Sequence, residues 1–222
     1  MIMYCYKKIL LLINFSIILF FLGCGQKNKI NESTKLIKAP KIRVLLGKKK
    51  KNWKVEINGA YKILDQSKYM VHKDKNLYGK IQSTRNCIYF AKFKVSGRKI
   101  YIIPLKSSII KINGVPYYGY LICMIGSRNK LRIINVVSIE KYIAGVIASE
   151  MQLSWNESAL CVQAVISRTF AMCEKKERKN SYFDVYDNTK SQVYNKQISE
   201  KYRNKIDGVL EKTRGLVLCY RS

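Results

Sequence analysis

Apolar and polar positions alternate through the first half of the chain and then change period. Strand signals run over 42–46, 53–57, 61–64, 88–95, 99–104, 109–112, 115–125 and 131–137, with apolar residues at every second position most plainly in 53–57 and 61–64. That period belongs to strands with one buried face. Turn residues punctuate the runs at Asn58-Gly59, Ser96-Gly97-Arg98, Asn113-Gly114 and Ser127-Arg128-Asn129. Asn-Gly between apolar runs is a strong hairpin signal, so hairpins are predicted across 53–64 and 109–125, and another across 88–104.

From Ile139 the spacing becomes helical. Ile139, Tyr142, Ile143, Val146 and Ile147 fall at i, i+3, i+4, i+7 and i+8, with Ser138 as the predicted N-cap. Ser154-Trp155-Asn156-Glu157 fits a capping box with Ser154 as N-cap, and residues 159–177 contain neither Pro nor Gly. Leu160, Ala164, Ser167 and Ala171 give this second helix a face of mostly small residues. Residues 182–194 read as a loop with short strand pieces, and 201–212 as a short helix ending near Gly215. The predicted class is α+β: an antiparallel β-rich N-terminal half, then two core helices and a short mixed tail.

Glu150 carries the sharpest chemistry. It lies three residues after Ile147 and four after Val146, roughly 20° from Ile139 around a helix axis. A carboxylate held against apolar neighbours keeps its proton to higher pH and can donate it to a leaving group. The pattern leaves a second outcome open, in which the helix stops before Glu150 and the carboxylate faces water. Arg168 sits at the edge of the small-residue face, where an unpaired buried charge is costly. Its partner is Glu150 or a bound ligand, unless the side chain reaches the surface. Gln163, in the same apolar run, either hydrogen-bonds locally or faces a ligand. Glu140 and Lys141 point away from the stripe, toward solvent.

The order of these segments resembles the SpoIID/LytB family, the stage II sporulation protein D and amidase-enhancer-like group. The residues that carry the resemblance are 135–142, 145–151, Ser154-Trp155, Ala159-Leu160, 163–165 and 167–171. Asp187 with Thr189, Gln192-Val193-Tyr194 and Thr213-Arg214-Gly215 continue it. It implies a peptidoglycan lytic transglycosylase that cleaves the bond between N-acetylmuramic acid and N-acetylglucosamine, with Glu150 as single acid/base. It implies Arg168 at the active site, and makes Gln163, Gln192 and Tyr194 candidates for the glycan groove; Asp184 and Asp187 are further polar groups of that loop. Ordinary glycosidases need two carboxylates; closing a 1,6-anhydro ring needs one. No cofactor and no metal are implied. Where many relatives carry Lys, this chain has Cys161, and relatives continue with further strands beyond the Thr-Arg-Gly segment, so the chain reads as a C-terminally short member. The alternative function is a non-catalytic peptidoglycan-binding enhancer or recruiter of a wall amidase.

The N-terminus adds a compartment. Lys7 and Lys8 precede an apolar run from Ile9 to Leu22 that is short for a spanning helix. It ends in Phe21-Leu22-Gly23-Cys24-Gly25, which looks like a bacterial lipobox with Cys24 as the lipidated residue; an uncleaved anchor is the other reading. The predicted division is a signal peptide over 1–23, a lipidated tether over 24–40, a β-rich part over 41–133 and a SpoIID-like core over 134–222. The location expected is the bacterial cell envelope, anchored to the membrane and facing the periplasm or the outside of the cytoplasmic membrane.

Charge and cysteine change little. Lys plus Arg is 42 against 14 for Asp plus Glu, a net charge of +28. Such a surface attracts nucleic acid, anionic lipid or anionic wall polymer. The lysines are scattered, as an A/T-rich genome produces, and export together with the lack of a recognition motif argues against nucleic acid. Cys87, Cys123, Cys161, Cys173 and Cys219 remain after Cys5 and Cys24 are set aside, an odd set without C-x-x-C. Cys161 and Cys173 lie about 18 Å apart along one predicted helix, too far to bridge.

Overall fold

The computed structural model describes residues 39–50, 52–194 and 198–219; Cys24 and the predicted signal segment lie outside them. The described chain is α+β. Its strands are β1 (Lys41–Lys50), β2 (Asn52–Leu64), β3 (Met70–Ser83), β4 (Cys87–Phe90), β5 (Phe93–Ser96), β6 (Lys99–Pro104), β7 (Ile109–Ile112), β8 (Val115–Tyr117), β9 (Tyr120–Ile125), β10 (Leu131–Ser138) and β11 (Val185–Tyr186). The helices are α1 (Ile139–Glu150), α2 (Glu157–Glu177) and α3 (Glu200–Lys212).

One sheet joins all the strands in the order β11-β1-β10-β9-β6-β2-β3-β4-β5, with β7 on β2 and β8 on β7. Every pairing is antiparallel except β1 with β11. β10 pairs with both β1 and β9, so the sheet runs without a break across position 133. Alternation explains the layers. Ile42, Val44 and Leu46 of β1, Leu131, Ile133 and Val137 of β10, and Leu121 and Cys123 of β9 point to one face and are buried. Ile139, Tyr142, Ile143, Val146 and Ile147 of α1 join the same core. Leu45, Ile134 and Val136 point the other way and are covered by Phe183 in a smaller cluster.

Several local expectations are corrected. Asn58-Gly59 is a bulge within β2 and not a turn: the register with β3 shifts between Ile57 and Ala60. Gly59 is required there, because its φ is 99° and a Cβ would lie 2.5 Å from Ser108 Oγ. The expected strand over 88–95 is itself a hairpin turning at Ala91, and β6 pairs with β2 and β9 and not with β5. The run 115–125 breaks before β9. β3 carried no period-two signal, because most of its residues are exposed.

The loop over 178–186 is tied to β1 by an ion pair. Asp184, fully buried, accepts from Arg43 Nε at 3.0 Å, Arg43 Nη2 at 2.6 Å and the Arg43 backbone N–H at 2.8 Å. Asp184 is therefore a structural residue and not one of the groups facing a sugar. Asp184→Ala strands a half-buried guanidinium and a backbone donor. It is expected to lower the unfolding free energy by about 3 kcal/mol, read by urea denaturation.

Candidate functional site

Helix α1 extends to Glu150, and Ser138 is its N-cap, although its side chain makes no capping bond. α2 starts later than the capping box predicts: Asn156 is the N-cap, and its side chain accepts from the Ser158 N–H at 2.8 Å. The linker between the helices is pinned from α3, where Lys205 Nζ donates to the carbonyls of Leu153, at 3.0 Å, and Trp155. Glu150 thus stands at the mouth of a fixed helix–loop–helix corner.

Both oxygens of Glu150 are held by neutral donors. Gln163 Nε2 of α2 donates to Oε2 at 3.0 Å, and the Val193 backbone N–H donates to Oε1 at 3.0 Å. Gln163 Nε2 also lies 3.1 Å from the buried Ser167 Oγ, which fixes the amide's direction. The carboxylate is open to solvent at its rim, yet its pKa lies above the ordinary Glu value. Desolvation by the surrounding protein is the larger cause, and the Val193 N–H opposes it by favouring the ionised form. Gln163 therefore hydrogen-bonds the candidate acid.

Gln192 and Tyr194 are not open to a groove. Both are buried, on either side of the exposed Val193. Tyr142 donates its hydroxyl to Gln192 Oε1 at 3.1 Å, and Tyr194 donates to Asn135 Oδ1 at 3.0 Å. The Tyr142 and Tyr194 rings are 5.1 Å apart. These anchors turn the alternate residue, Val193, outward and aim its amide at Glu150. The loop is fixed at its other end by Asp187, whose Oδ2 accepts from the Gly47 N–H at 2.7 Å. Burial raises the Asp187 pKa against the pull of that bond.

Arg168 pairs with neither Glu150 nor an open site. It is fully buried on α2, and its Nε and Nη2 grip Glu140 at 3.1 and 2.7 Å. Its Nη1 donates to the Leu216 carbonyl at 3.1 Å. Glu140, expected to face water, is the partner; its side chain is only 14% exposed. Gly215, at φ 72°, turns the chain out of α3 so that Leu216 can reach the guanidinium. Thr169 Oγ1 then takes the Leu218 N–H at 2.9 Å. Arg168 and Thr169 together lash the segment after α3 to α2. Cys161 brings no charge; Lys212 of α3 pairs at 2.6 Å with Glu157, one turn before it.

Residues 127–220 match the family model of the stage II sporulation protein SpoIID. The chain carries a SpoIID-family domain. An uncharacterized protein of Brachyspira hyodysenteriae is 36% identical over 111 residues, which cover 50% of this chain and 29% of that protein. The chain thus spans under a third of the length of this relative. No solved structure matches. The matched SpoIID region holds Glu150, Gln163, Arg168, Gln192 and Tyr194. Among the described residues no helix is long and apolar enough to cross a membrane.

Sequence reasoning missed Asn135, Tyr142, Ser167 and the Val193 amide as the groups that build the corner. Asn135 was the one findable signal, a polar residue at an inward-facing position of an otherwise apolar strand.

Two measurements check this geometry. Arg168→Ala leaves Glu140 without its counterion in a mostly buried place and frees the segment after Gly215. A loss of about 3 to 5 kcal/mol in unfolding free energy is expected without any ligand present; a residue serving only substrate would leave stability unchanged. The raised pKa of Glu150 means that the folded protein keeps this proton to higher pH than the unfolded chain. Its contribution to stability is therefore full below the ordinary Glu value and is lost as pH rises through the raised value. Glu150→Gln removes that dependence, so urea titrations between about pH 4 and 7 should show a flatter profile for the variant.

Proposed function

We propose that the SpoIID domain is a peptidoglycan lytic transglycosylase that cleaves the MurNAc–GlcNAc bond with Glu150 as its acid and base. The observation that supports this reading is the geometry of Glu150: a rim-exposed carboxylate, fixed through both oxygens by the neutral Gln163 and Val193 donors, whose pKa desolvation shifts upward. An acid that must become a base within one turnover needs a pKa near the working pH. Glu150 gives its proton to the glycosidic oxygen as the bond from that oxygen to the muramic C1 breaks. The resulting carboxylate, stabilised by the two N–H donors, then takes the proton from the muramic C6 hydroxyl while O6 bonds to C1. The products are a shortened strand and a 1,6-anhydro end, with no water consumed and no cofactor required.

Glu150 is here the catalytic residue, and Gln163 and the Val193 amide position it. Gln192 and Tyr194 act from beneath, through Val193. Arg168 holds the fold of the site and does not touch glycan. The reading includes an envelope location through lipidated Cys24, where the substrate and any wall amidase partner would be met.

The second reading, a peptidoglycan-binding enhancer of a wall amidase, is supported by the burial of Arg168, Gln192 and Tyr194, which takes three expected substrate contacts out of reach. Digestion of purified peptidoglycan followed by mass spectrometry separates the two. The transglycosylase reading expects 1,6-anhydromuropeptides from the wild type and a loss of about 100-fold or more in Glu150→Gln. Amidase stimulation that survives Glu150→Gln, without anhydro products from either protein, would establish the enhancer instead.

A further inference from the structure

The solvent face of the β2–β3 hairpin gathers charge of one sign. By register, Lys54 lies directly opposite Lys80, Lys62 opposite Lys73, Glu56 opposite Tyr78 and Ala60 opposite Lys75. The alternate residues, Val55, Ile57, Tyr61 and Ile63, are buried on the other face. Like charges directly opposite one another in adjacent strands destabilise a sheet, and here two such pairs stand on one hairpin. The carboxylate on the face, Glu56, is engaged by Lys111 at 3.1 Å. Asp74 stands opposite the buried Tyr61 and belongs to the other side.

Edge protection accounts for part of this. Lys73 and Lys75 lie on the stretch of β3 before its pairing with β4 at Ile81–Ser83, and there they guard an unpaired edge against association. Lys54 and Lys62 are on β2, which is paired on both sides by β3 and by β6 and β7, so edge protection gives no reason for them. Tyr78 stands 68% exposed between the two lysine pairs, with Lys54 Nζ 5.4 Å from its ring centre. A shallow depression of about 290 Å³ opens beside it, lined by Lys54, Glu56, Tyr78, Lys111 and Asn113 among others. That is the low end of small-ligand sites. A widely exposed ring flanked by an amide, a carboxylate and two ammonium groups suits a sugar, which stacks its C–H face and hydrogen-bonds at its edge. From Lys54 to Lys62 the strand runs about 25 Å, the length of several sugar units.

We propose that this face binds a linear anionic polysaccharide, with one sugar seated on Tyr78 and the charged groups of neighbouring units on the two lysine pairs. A bilayer fits less well, because a membrane-binding surface needs apolar side chains projecting among its cations, and the exposed apolar residues of this hairpin, Met70 and Val71, lie at its turn beyond the Lys62–Lys73 pair. Single-stranded nucleic acid stacks successive bases on successive rings, and between the two lysine pairs Tyr78 stands alone; the other widely exposed ring, Tyr69, lies at the hairpin turn. The site is separate from Glu150 in the chain, and its test does not depend on whether Glu150 cleaves glycan.

The experiment uses the full chain and isothermal titration with alginate oligomers of about ten uronate units, against neutral dextran. The face variant carries Lys54→Gln, Lys62→Gln, Lys73→Gln and Lys80→Gln. A control of equal charge change carries Lys176→Gln, Lys179→Gln, Lys190→Gln and Lys201→Gln. Alginate binding is expected to weaken by at least about tenfold in the face variant and by about threefold in Tyr78→Ala, with less than about twofold change in the control. The thermal midpoint of the face variant should not fall below that of the wild type, since two repulsive pairs are gone. Equal losses in the two quadruple variants would reduce the effect to bulk charge and overturn the proposal. So would tighter binding to phosphatidylglycerol-containing vesicles or to single-stranded DNA than to alginate, or no alginate binding.

Discussion

The arrangement around the candidate acid depends on one buried cation. Arg168 projects from α2 toward α1 with almost no access to water, and a guanidinium there is tolerable only when its donors are filled. Glu140 from the first turn of α1 neutralises it, and the Leu216 carbonyl takes a further N–H. One side chain thereby fixes the relative positions of the two helices and the segment that leaves α3. Glu150 is the last residue of α1 and Gln163 is nearly two turns into α2, so the 3.0 Å contact between them follows from that clamp.

A second layer works from below the loop. The inward face of β10 is apolar except at Asn135, which holds the Tyr194 hydroxyl, while Tyr142 of α1 holds Gln192. With alternate residues tied down, Val193 has no freedom to rotate its amide away from Glu150. The site thus couples sheet, helix and loop through short neutral hydrogen bonds. Neutral donors leave the carboxylate able to gain and lose a proton, whereas a direct Arg or Lys partner would hold it ionised. Placing the buried Arg168 on Glu140, rather than on Glu150, keeps that property.

β6 and β7 were legible because burial of one face imposes period two on their residues, whereas β1 and β10, buried on both faces, were legible as nearly continuous apolar runs. β3 was not, because both of its faces meet solvent over most of its length and nothing selects alternation. The bulge at Gly59 was read as a turn because Asn-Gly has the same chemistry in both; only pairing across β3 distinguishes a strand that bends from one that reverses. In the site, the sequence singles out Glu150 as the chemistry-bearing residue. It assigns Arg168, Gln163, Gln192 and Tyr194 to the glycan, and the structure gives all four protein partners instead, Gln163 pairing with Glu150 itself, since a sequence shows that a polar group needs a partner without showing which one.

The sequence alone determined the class of fold, the two consecutive helices, the resemblance of residues 134–217 to SpoIID and the singular position of Glu150, because these depend on local spacing along one chain. Tertiary structure decided who meets whom. It gave Arg168 to Glu140 at a separation of 28 residues, Val193 to Glu150 at 43 and Tyr194 to Asn135 at 59. A side chain's partner is set by where the backbone places competing groups in space, and periodicity carries no information about contacts between elements.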